Sequence, residues 1–164
     1  MALFVEFQMG ADAYLLDTAQ VVQILPLVGI KRIPRAPAGV AGTFNYRGAP
    51  VPVVDLSDIA IGEPAVRNLS TRLILVRYPD RTGRERLLGV IAEKVTQTLK
   101  RELADFVAAG VASDAASYLG PVCIDGGRLL QRVEVHKLLT AEVSEVLFRQ
   151  VEEDTWSSPE SKRC

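Results

Sequence analysis

Side chains that could act as catalysts or metal ligands are scarce in this sequence. It contains one histidine, His136, and two cysteines, Cys123 and Cys164. No pair of cysteines has the spacing of a zinc finger or ribbon, so we expect no metal site. Cys123 lies between Val122 and Ile124 in an apolar strand pattern, where a thiol is more often an inert core residue than a nucleophile.

The remaining chemical motifs are also absent from the sequence. A catalytic histidine would need a serine or cysteine and an acid that orients it. His136 instead opens an amphipathic stretch, on the face opposite Leu138 and Leu139, which indicates a solvated side chain. The segment from Gly39 to Gly48 contains three glycines, but their flanks are of the strand type rather than those of a phosphate-binding loop. The sequence therefore predicts no catalytic residue, no metal, no cofactor and no enzyme activity.

The elements that position these side chains are expected to form one domain. A chain of 164 residues has the usual size of a single domain, and its 48% hydrophobic content is sufficient for a core. Nineteen Lys and Arg against 20 Asp and Glu leave a net charge of -1, so no overall basic field attracts nucleic acid. No stretch approaches the roughly 20 apolar residues of a membrane span, and the start lacks a signal-peptide pattern. We expect a cytoplasmic protein.

Short strands separated by turns dominate the pattern and indicate a mainly all-β fold. In the first strand Glu6 and Gln8 alternate with apolar residues and occupy the opposite face. A surface loop is expected over Ile59–Ser70. The first predicted strand is Leu3–Met9, and Tyr14–Leu25 is predicted to form a strand, a short helical turn and a second strand. Three hairpins are predicted to follow: Val40–Leu56, Arg72–Tyr78 with Leu87–Val95, and Leu119–Asp125 with Arg128–Val133 around Gly126-Gly127.

The Val40–Leu56 hairpin is predicted to turn at Arg47-Gly48 or at Gly48-Ala49. Pro50 and Pro52 confine its second strand to a sheet edge, or to a register in which their missing N–H groups would not pair. Asp55 ends that strand and is interpreted as a terminating turn residue rather than a catalytic acid.

Helical spacing appears in two places. Leu103, Phe106 and Val107 predict a short helix over Arg101–Ala109. Apolar residues from Val135 to Leu147 predict a C-terminal helix or helix pair that docks on the β core, with Thr140 as the cap of its second segment. Residues 1–150 are expected to form the domain. Residues 151–164, a polar segment with Trp156 and Cys164, are expected to be disordered, although a lone tryptophan can also serve as a docking motif.

The string from Val40 to Leu56 is the most informative in the chain. It resembles the CheW family of chemotaxis coupling proteins, in which a Gly-x-x-Asn-x-Arg-Gly turn precedes a valine- and proline-containing strand that ends in Asp-Leu. The matching positions are Gly42, Asn45, Arg47, Gly48, Pro52, Asp55 and Leu56. Further segments match in order, including Tyr14–Ile24, Leu88–Ile91 and Lys137–Leu139, so the resemblance covers roughly residues 3–140.

The resemblance implies two small five-stranded SH3-like β-barrels, packed as one CheW-like domain with a C-terminal α-helix. It also implies a non-enzymatic adaptor that couples the cytoplasmic tip of a methyl-accepting chemoreceptor to the regulatory domain of a CheA-type histidine kinase, recruited to membrane receptor arrays. The residues that the resemblance assigns to partner binding are Arg47, Gly48, Asn45, Gly42, Val21 and Gln23.

One departure from the family pattern bears on the predicted site. Position 23 is Gln23 where the family usually has glutamate, so a charged contact is replaced by neutral hydrogen bonds, which are generally weaker. Two further departures are the Leu129–Val133 strand, which is more polar than the usual aliphatic run, and the alanine-rich segment Arg101–Tyr118. These departures make a divergent paralogue from a system that controls surface growth, pili or cyclic-di-GMP output an alternative to flagellar chemotaxis. A second alternative is a β-barrel that binds a ligand or an oligonucleotide, but only 6% of the residues are aromatic, and such a surface needs aromatic and basic side chains on one sheet.

Overall fold

The computed structural model of the chain describes residues 1–27, 29–110 and 114–149. Nine strands account for most of the described structure. They are β1 (Ala2–Met9), β2 (Asp12–Asp17), β3 (Val21–Pro26), β4 (Val40–Tyr46), β5 (Ala49–Asp55), β6 (Arg72–Pro79), β7 (Glu85–Arg101), β8 (Leu119–Asp125) and β9 (Arg128–Val133). A short helix α1 (Leu56–Ile61) follows β5, and residues 141–149 form the C-terminal helix α2.

The strands form two five-stranded β-barrels that share β7. Strand order β7-β1-β2-β9-β8 builds barrel one, and order β3-β6-β7-β5-β4 builds barrel two. β7 serves both because it is 17 residues long: Gly89–Ile91 pair with β5, while Gln97–Arg101 pair with β1. The predicted mainly all-β fold of two barrels with a C-terminal helix is confirmed.

Three apolar layers hold the barrels together. Barrel one is filled by Phe4, Leu15, Cys123 and Leu130, and barrel two by a set that includes Phe44, Val53 and Leu75. A larger shared core lies between the barrels and includes Val5, Phe7, Ile74, Val76, Leu147 and Phe148. Because α2 contributes Leu147 and Phe148 to this shared core, the helix fixes one barrel against the other, as the amphipathic pattern predicts.

β1 shows how a central strand between two cores departs from simple alternation. Val5 and Phe7 face the shared core, as predicted, but the opposite face is also buried: Phe4 enters barrel one, and Glu6 is only 6% exposed. Glu6 tolerates burial because Arg128 donates to both of its carboxylate oxygens, at 3.1 and 3.0 Å. This ion pair, together with the amide of Gln97, lowers the pKa of the Glu6 carboxyl.

The β4–β5 hairpin follows the prediction, including its turn at Arg47-Gly48. In a two-residue hairpin the flanking pair, here Tyr46 and Ala49, is hydrogen-bonded and the next pair is not. Pro50 and Pro52 oppose Asn45 and Thr43, both at non-hydrogen-bonded positions, and β7 joins β5 only from Val53 onward. The missing N–H groups therefore leave the ladder intact.

Two sequence predictions of secondary structure are wrong. The helix predicted over Arg101–Ala109 is absent: β7 runs to Arg101 and is followed by a single 3-10 turn, Leu103–Asp105, and a bridge between Val107 and Val122. Pairing of β7 with β1 and the contact of Phe106 with Phe4, whose ring centroids are 5.2 Å apart, override the local helical spacing.

The second error concerns the loop predicted over Ile59–Ser70. Its first residues belong to α1, because Asp55 caps that helix. At the C-terminal end, a 3-10 turn, Val135–Lys137, precedes α2, and the Thr140 hydroxyl accepts from the Val143 N–H at 3.3 Å, in agreement with the predicted helix pair and cap. The predicted disordered segment, residues 151–164, lies outside the described residues.

Candidate functional site

The turn between β4 and β5 projects from the end of barrel two with a fixed backbone. Arg47 and Gly48 both have positive φ, 51° and 86°, which is the geometry of a type I′ turn. The Asn45 side-chain oxygen accepts a hydrogen bond from the Gly48 N–H at 2.8 Å. Asn45 and Gly48 therefore hold the backbone in the conformation that exposes Arg47.

Arg47 is exposed, and its guanidinium lies over the ring of Tyr46, 5.2 Å from the ring centroid. Tyr46 in turn packs against Phe44, a residue of the core of barrel two, with ring centroids 6.1 Å apart. An exposed arginine on an aromatic face keeps its charge available while its side chain is restrained.

The Tyr46 hydroxyl connects this turn to β3. It donates a hydrogen bond to the side-chain oxygen of Gln23 at 3.0 Å. Two segments that the sequence assigned separately to partner binding, around Arg47 and around Gln23, therefore lie side by side. The sequence pattern did not assign Tyr46 to the binding surface, although this residue directly precedes Arg47 in the predicted turn.

The other predicted residue of β3, Val21, is half-buried and packs against the shared core. Its neighbours Val22 and Ile24 are 37% and 40% exposed and flank Gln23. The ladder between β3 and β6 shifts register between Val21 and Gln23, so a bulge carries Val22 outward. These two apolar residues are more accessible than Val21.

Gly42 is buried, so its place in the site is structural. A Cβ atom at this position would lie 2.0 Å from the carbonyl oxygen of Lys31. This close approach allows the Lys31 and Thr43 backbones to exchange two hydrogen bonds of 2.8 Å. Gly42 therefore lets the segment before β4 pack against the base of the hairpin.

Asp55 ends β5 and fixes the segments that follow. One carboxylate oxygen accepts from the Asp58 N–H at 3.3 Å and the other accepts from the Ala65 N–H at 2.9 Å. Burial raises the pKa of the Asp55 carboxyl, and these backbone donors oppose the shift. The interpretation of Asp55 as a strand-terminating residue is in agreement with this geometry.

The basic loop between β6 and β7 is tied to its own surroundings. Asp80 accepts from Thr82, from the Arg84 N–H and from Arg86, and these donors lower the pKa of its carboxyl. Arg81 pairs with Glu145 of α2 at 3.0 Å. This loop therefore supports the C-terminal helix.

The reactive side chains do not converge. His136 is exposed, and Cys123 is buried in barrel one, where desolvation raises the pKa of its thiol. Among the described residues, no group of three His, Cys, Asp or Glu side chains could hold a metal ion. No helix in the described part of the chain is both long and apolar enough to cross a membrane.

Comparison with known proteins identifies relatives over most of the chain. The model of the CheW-like domain matches residues 3–143. A chemotaxis protein CheW from Klebsiella aerogenes is 26% identical over 145 residues, which are 85% of this chain and 82% of that protein. The protein of the same name from Treponema pallidum is 25% identical over 146 residues, 84% of this chain and 81% of its own length. The match to the Helicobacter pylori protein is shorter, 27% identity over 103 residues, covering 62% of this chain and 59% of that protein.

A solved structure has the same fold. The scaffolding protein TtCheW from Thermoanaerobacter tengcongensis superposes with a TM-score of 0.75 at 21% identity, covering 87% of this chain and 90% of that protein. The family match extends from β1 into α2 and therefore includes both barrels and the Arg47 turn. This chain belongs to the CheW-like family of chemotaxis adaptor proteins.

Proposed function

We propose that this chain couples the cytoplasmic tip of a methyl-accepting chemoreceptor to the regulatory domain of a CheA-type histidine kinase and catalyses no reaction itself. The observation that carries the proposal is the exposed Arg47, held on a rigid two-residue turn in the segment that matches the family. A cation whose backbone and side chain are already restrained loses little entropy when it binds a carboxylate of a partner.

The proposed partner-binding surface of barrel two is centred on the Arg47 turn. Arg47, Gln23 and Tyr46 form this surface, and the ring of Tyr46 provides its apolar area. Arginine and aromatic side chains are enriched at protein interfaces and among the residues that contribute most to binding. Gly42, Asn45, Gly48 and Val21 support this surface.

An adaptor needs a second contact surface, and barrel one offers one. Ile124 and Leu129 are cross-strand neighbours in the β8–β9 hairpin and are 73% and 61% exposed. Val107 lies in the same groove. A group of exposed apolar side chains on a folded domain often marks a protein interaction site. The two surfaces lie on different barrels, which allows simultaneous contact with two proteins and recruitment to receptor arrays at the membrane.

The test is a substitution that reverses the charge of the turn. Arg47→Glu is expected to weaken binding of the kinase regulatory domain or of the receptor fragment at least tenfold, as measured by titration calorimetry. The free energy of unfolding should change by less than about 0.5 kcal/mol, because the side chain is exposed. Arg35→Glu is the matched control, since Arg35 is also exposed and also has positive φ, 57°.

Two results would contradict the proposal. Wild-type protein that binds neither fragment would contradict the adaptor role with these partners. Equal effects of Arg47→Glu and Arg35→Glu would contradict the assignment of the surface. Nothing in the fold favours the alternative of an oligonucleotide-binding barrel; a salt-dependent shift of labelled single-stranded DNA would support it.

A further inference from the structure

Tyr46 makes three contacts that together link the core of barrel two to its proposed binding surface. Its ring packs on Phe44 inside the barrel and supports the guanidinium of Arg47 outside it. Its hydroxyl donates to Gln23 on another strand. A change at Tyr46 therefore affects both halves of the surface at once.

The contact with Gln23 spans the open side of barrel two. β3 and β4 are the two ends of the strand order β3-β6-β7-β5-β4, and no strand pairing joins them within the described part of the chain. The hydrogen bond of 3.0 Å between Tyr46 and Gln23 crosses this gap. It therefore sets the position of the β4–β5 turn relative to β3.

The charge of Arg47 remains available for a partner. Among the described residues, Arg47 forms no ion pair, and its contact is with the neutral ring of Tyr46. The neighbouring strand contributes the amide of Gln23 rather than a carboxylate. The centre of the surface is therefore cationic.

We propose that Tyr46 is a positioning residue that holds Arg47 and Gln23 as one recognition unit, and that this unit binds a partner segment through a carboxylate. The carboxylate pairs with Arg47, beside the ring of Tyr46 and the amide of Gln23. This inference rests on the proposed function: the carboxylate belongs to the fragment, kinase regulatory domain or receptor tip, whose binding Arg47→Glu weakens, and that fragment is the binding partner in the tests below. It adds a residue and a partner chemistry that the Asn-x-Arg-Gly motif alone does not contain.

A double-mutant cycle on the full chain tests the coupling. Arg47→Ala is expected to weaken binding about tenfold, since it removes a charge-assisted contact. Tyr46→Leu should weaken binding at least two- to fivefold, because it removes a cation–π contact at an exposed site and also the hydroxyl contact to Gln23. In the Arg47→Ala background Tyr46→Leu should have a smaller effect, because one of the two side chains that Tyr46 positions is gone. Arg35→Ala is the control for loss of an exposed arginine.

A measurement on the free protein separates this inference from the proposed function. The aromatic ring should shift the Arg47 side-chain proton resonances upfield in the NMR spectrum. Tyr46→Leu should remove that shift, and Tyr46→Phe should keep it while it lowers binding through loss of the hydroxyl contact to Gln23.

The possible results separate clearly. Additive effects of Tyr46→Leu and Arg47→Ala, or an unshifted Arg47 resonance in wild-type protein, would overturn the positioning role while the adaptor role stands. A shifted resonance in a protein to which neither fragment binds would leave the geometry in place and overturn the proposed function and the assigned partner. Non-additive effects with the ring-dependent shift support the inference.

Discussion

Substitution of Gly42 by alanine should destabilise the fold strongly, although the residue belongs to the predicted binding motif. Gly42 has φ of 147°, which an L-residue rarely adopts, and the new Cβ would lie 2.0 Å from the Lys31 carbonyl oxygen and 2.8 Å from its carbon. Because both contacts are with backbone, no side-chain rotation relieves them. The segment before β4 must move away.

The expected cost follows from what that movement breaks. The strained backbone costs about 1–2 kcal/mol. Loss of the two hydrogen bonds of 2.8 Å between Lys31 and Thr43 adds about 1 kcal/mol each. The sum, about 3–4 kcal/mol, corresponds to a fall in melting temperature of roughly 10 °C for a domain of this size.

Urea unfolding followed by circular dichroism measures this change. Gly48→Ala is the matched control: Gly48 also has positive φ, but a Cβ there would have no heavy atom within 4 Å, so only about 1 kcal/mol is expected. A Gly42→Ala variant that loses less than the Gly48→Ala variant would refute the assignment of Gly42 as a structural residue. It would then have to act through direct contact with a partner.

Two further substitutions test the polar groups that are buried in the fold. Because the ion pair with Arg128 lowers the pKa of Glu6 from its usual 4.5, the ionised carboxylate stabilises the fold above about pH 4.5, and this contribution is lost as the pH falls through the lowered pKa. Glu6→Gln should therefore flatten the loss of melting temperature as the pH falls below about 4.5, whereas the exposed Glu63→Gln should leave it unchanged; equal slopes would contradict the ion-pair account. Asp55→Ala should cost about 2 kcal/mol in urea unfolding, because it removes the cap of α1 and leaves the Ala65 N–H without its acceptor. A loss no greater than that of Asp12→Ala, a substitution of an exposed aspartate, would contradict the role of both oxygens.

Much of the fold was predictable because local patterns and tertiary packing agree in the hairpins. The two-residue turn at Gly126-Gly127 was predicted from the sequence and joins Asp125 to its cross-strand partner Arg128, and Pro50 and Pro52 lie in a register in which their missing N–H groups are not needed. The predicted helix over Arg101–Ala109 failed because Leu103 and Val107 have helical spacing, whereas the decisive interactions are the pairing of β7 with β1 and the burial of Phe106. Strand β1 is distant in the chain from Leu103 and Val107, so local spacing does not reveal this pairing.

The candidate site was predictable only in part, because its geometry also depends on residues that are distant in the chain. The resemblance identified Arg47 and Gln23, but not that one hydrogen bond through Tyr46 joins their strands. It grouped Gly42 with the partner-binding residues, whereas Gly42 is buried against the backbone of Lys31. Likewise, Glu6 alternates with apolar residues in the pattern of a solvated face, and only the distant Arg128 explains its burial. A motif gives residue identities, whereas exposure depends on segments that fold over it.

The most direct test of the account is reconstitution of a ternary complex. The chain, the regulatory domain of its CheA-type kinase and the cytoplasmic tip of its chemoreceptor would be mixed and followed by analytical ultracentrifugation. We expect one complex that contains all three proteins and that Arg47→Glu, but not Arg35→Glu, disrupts. Separate sedimentation of kinase and receptor fragments in the presence of the folded wild-type chain would contradict the central claim that it links the two.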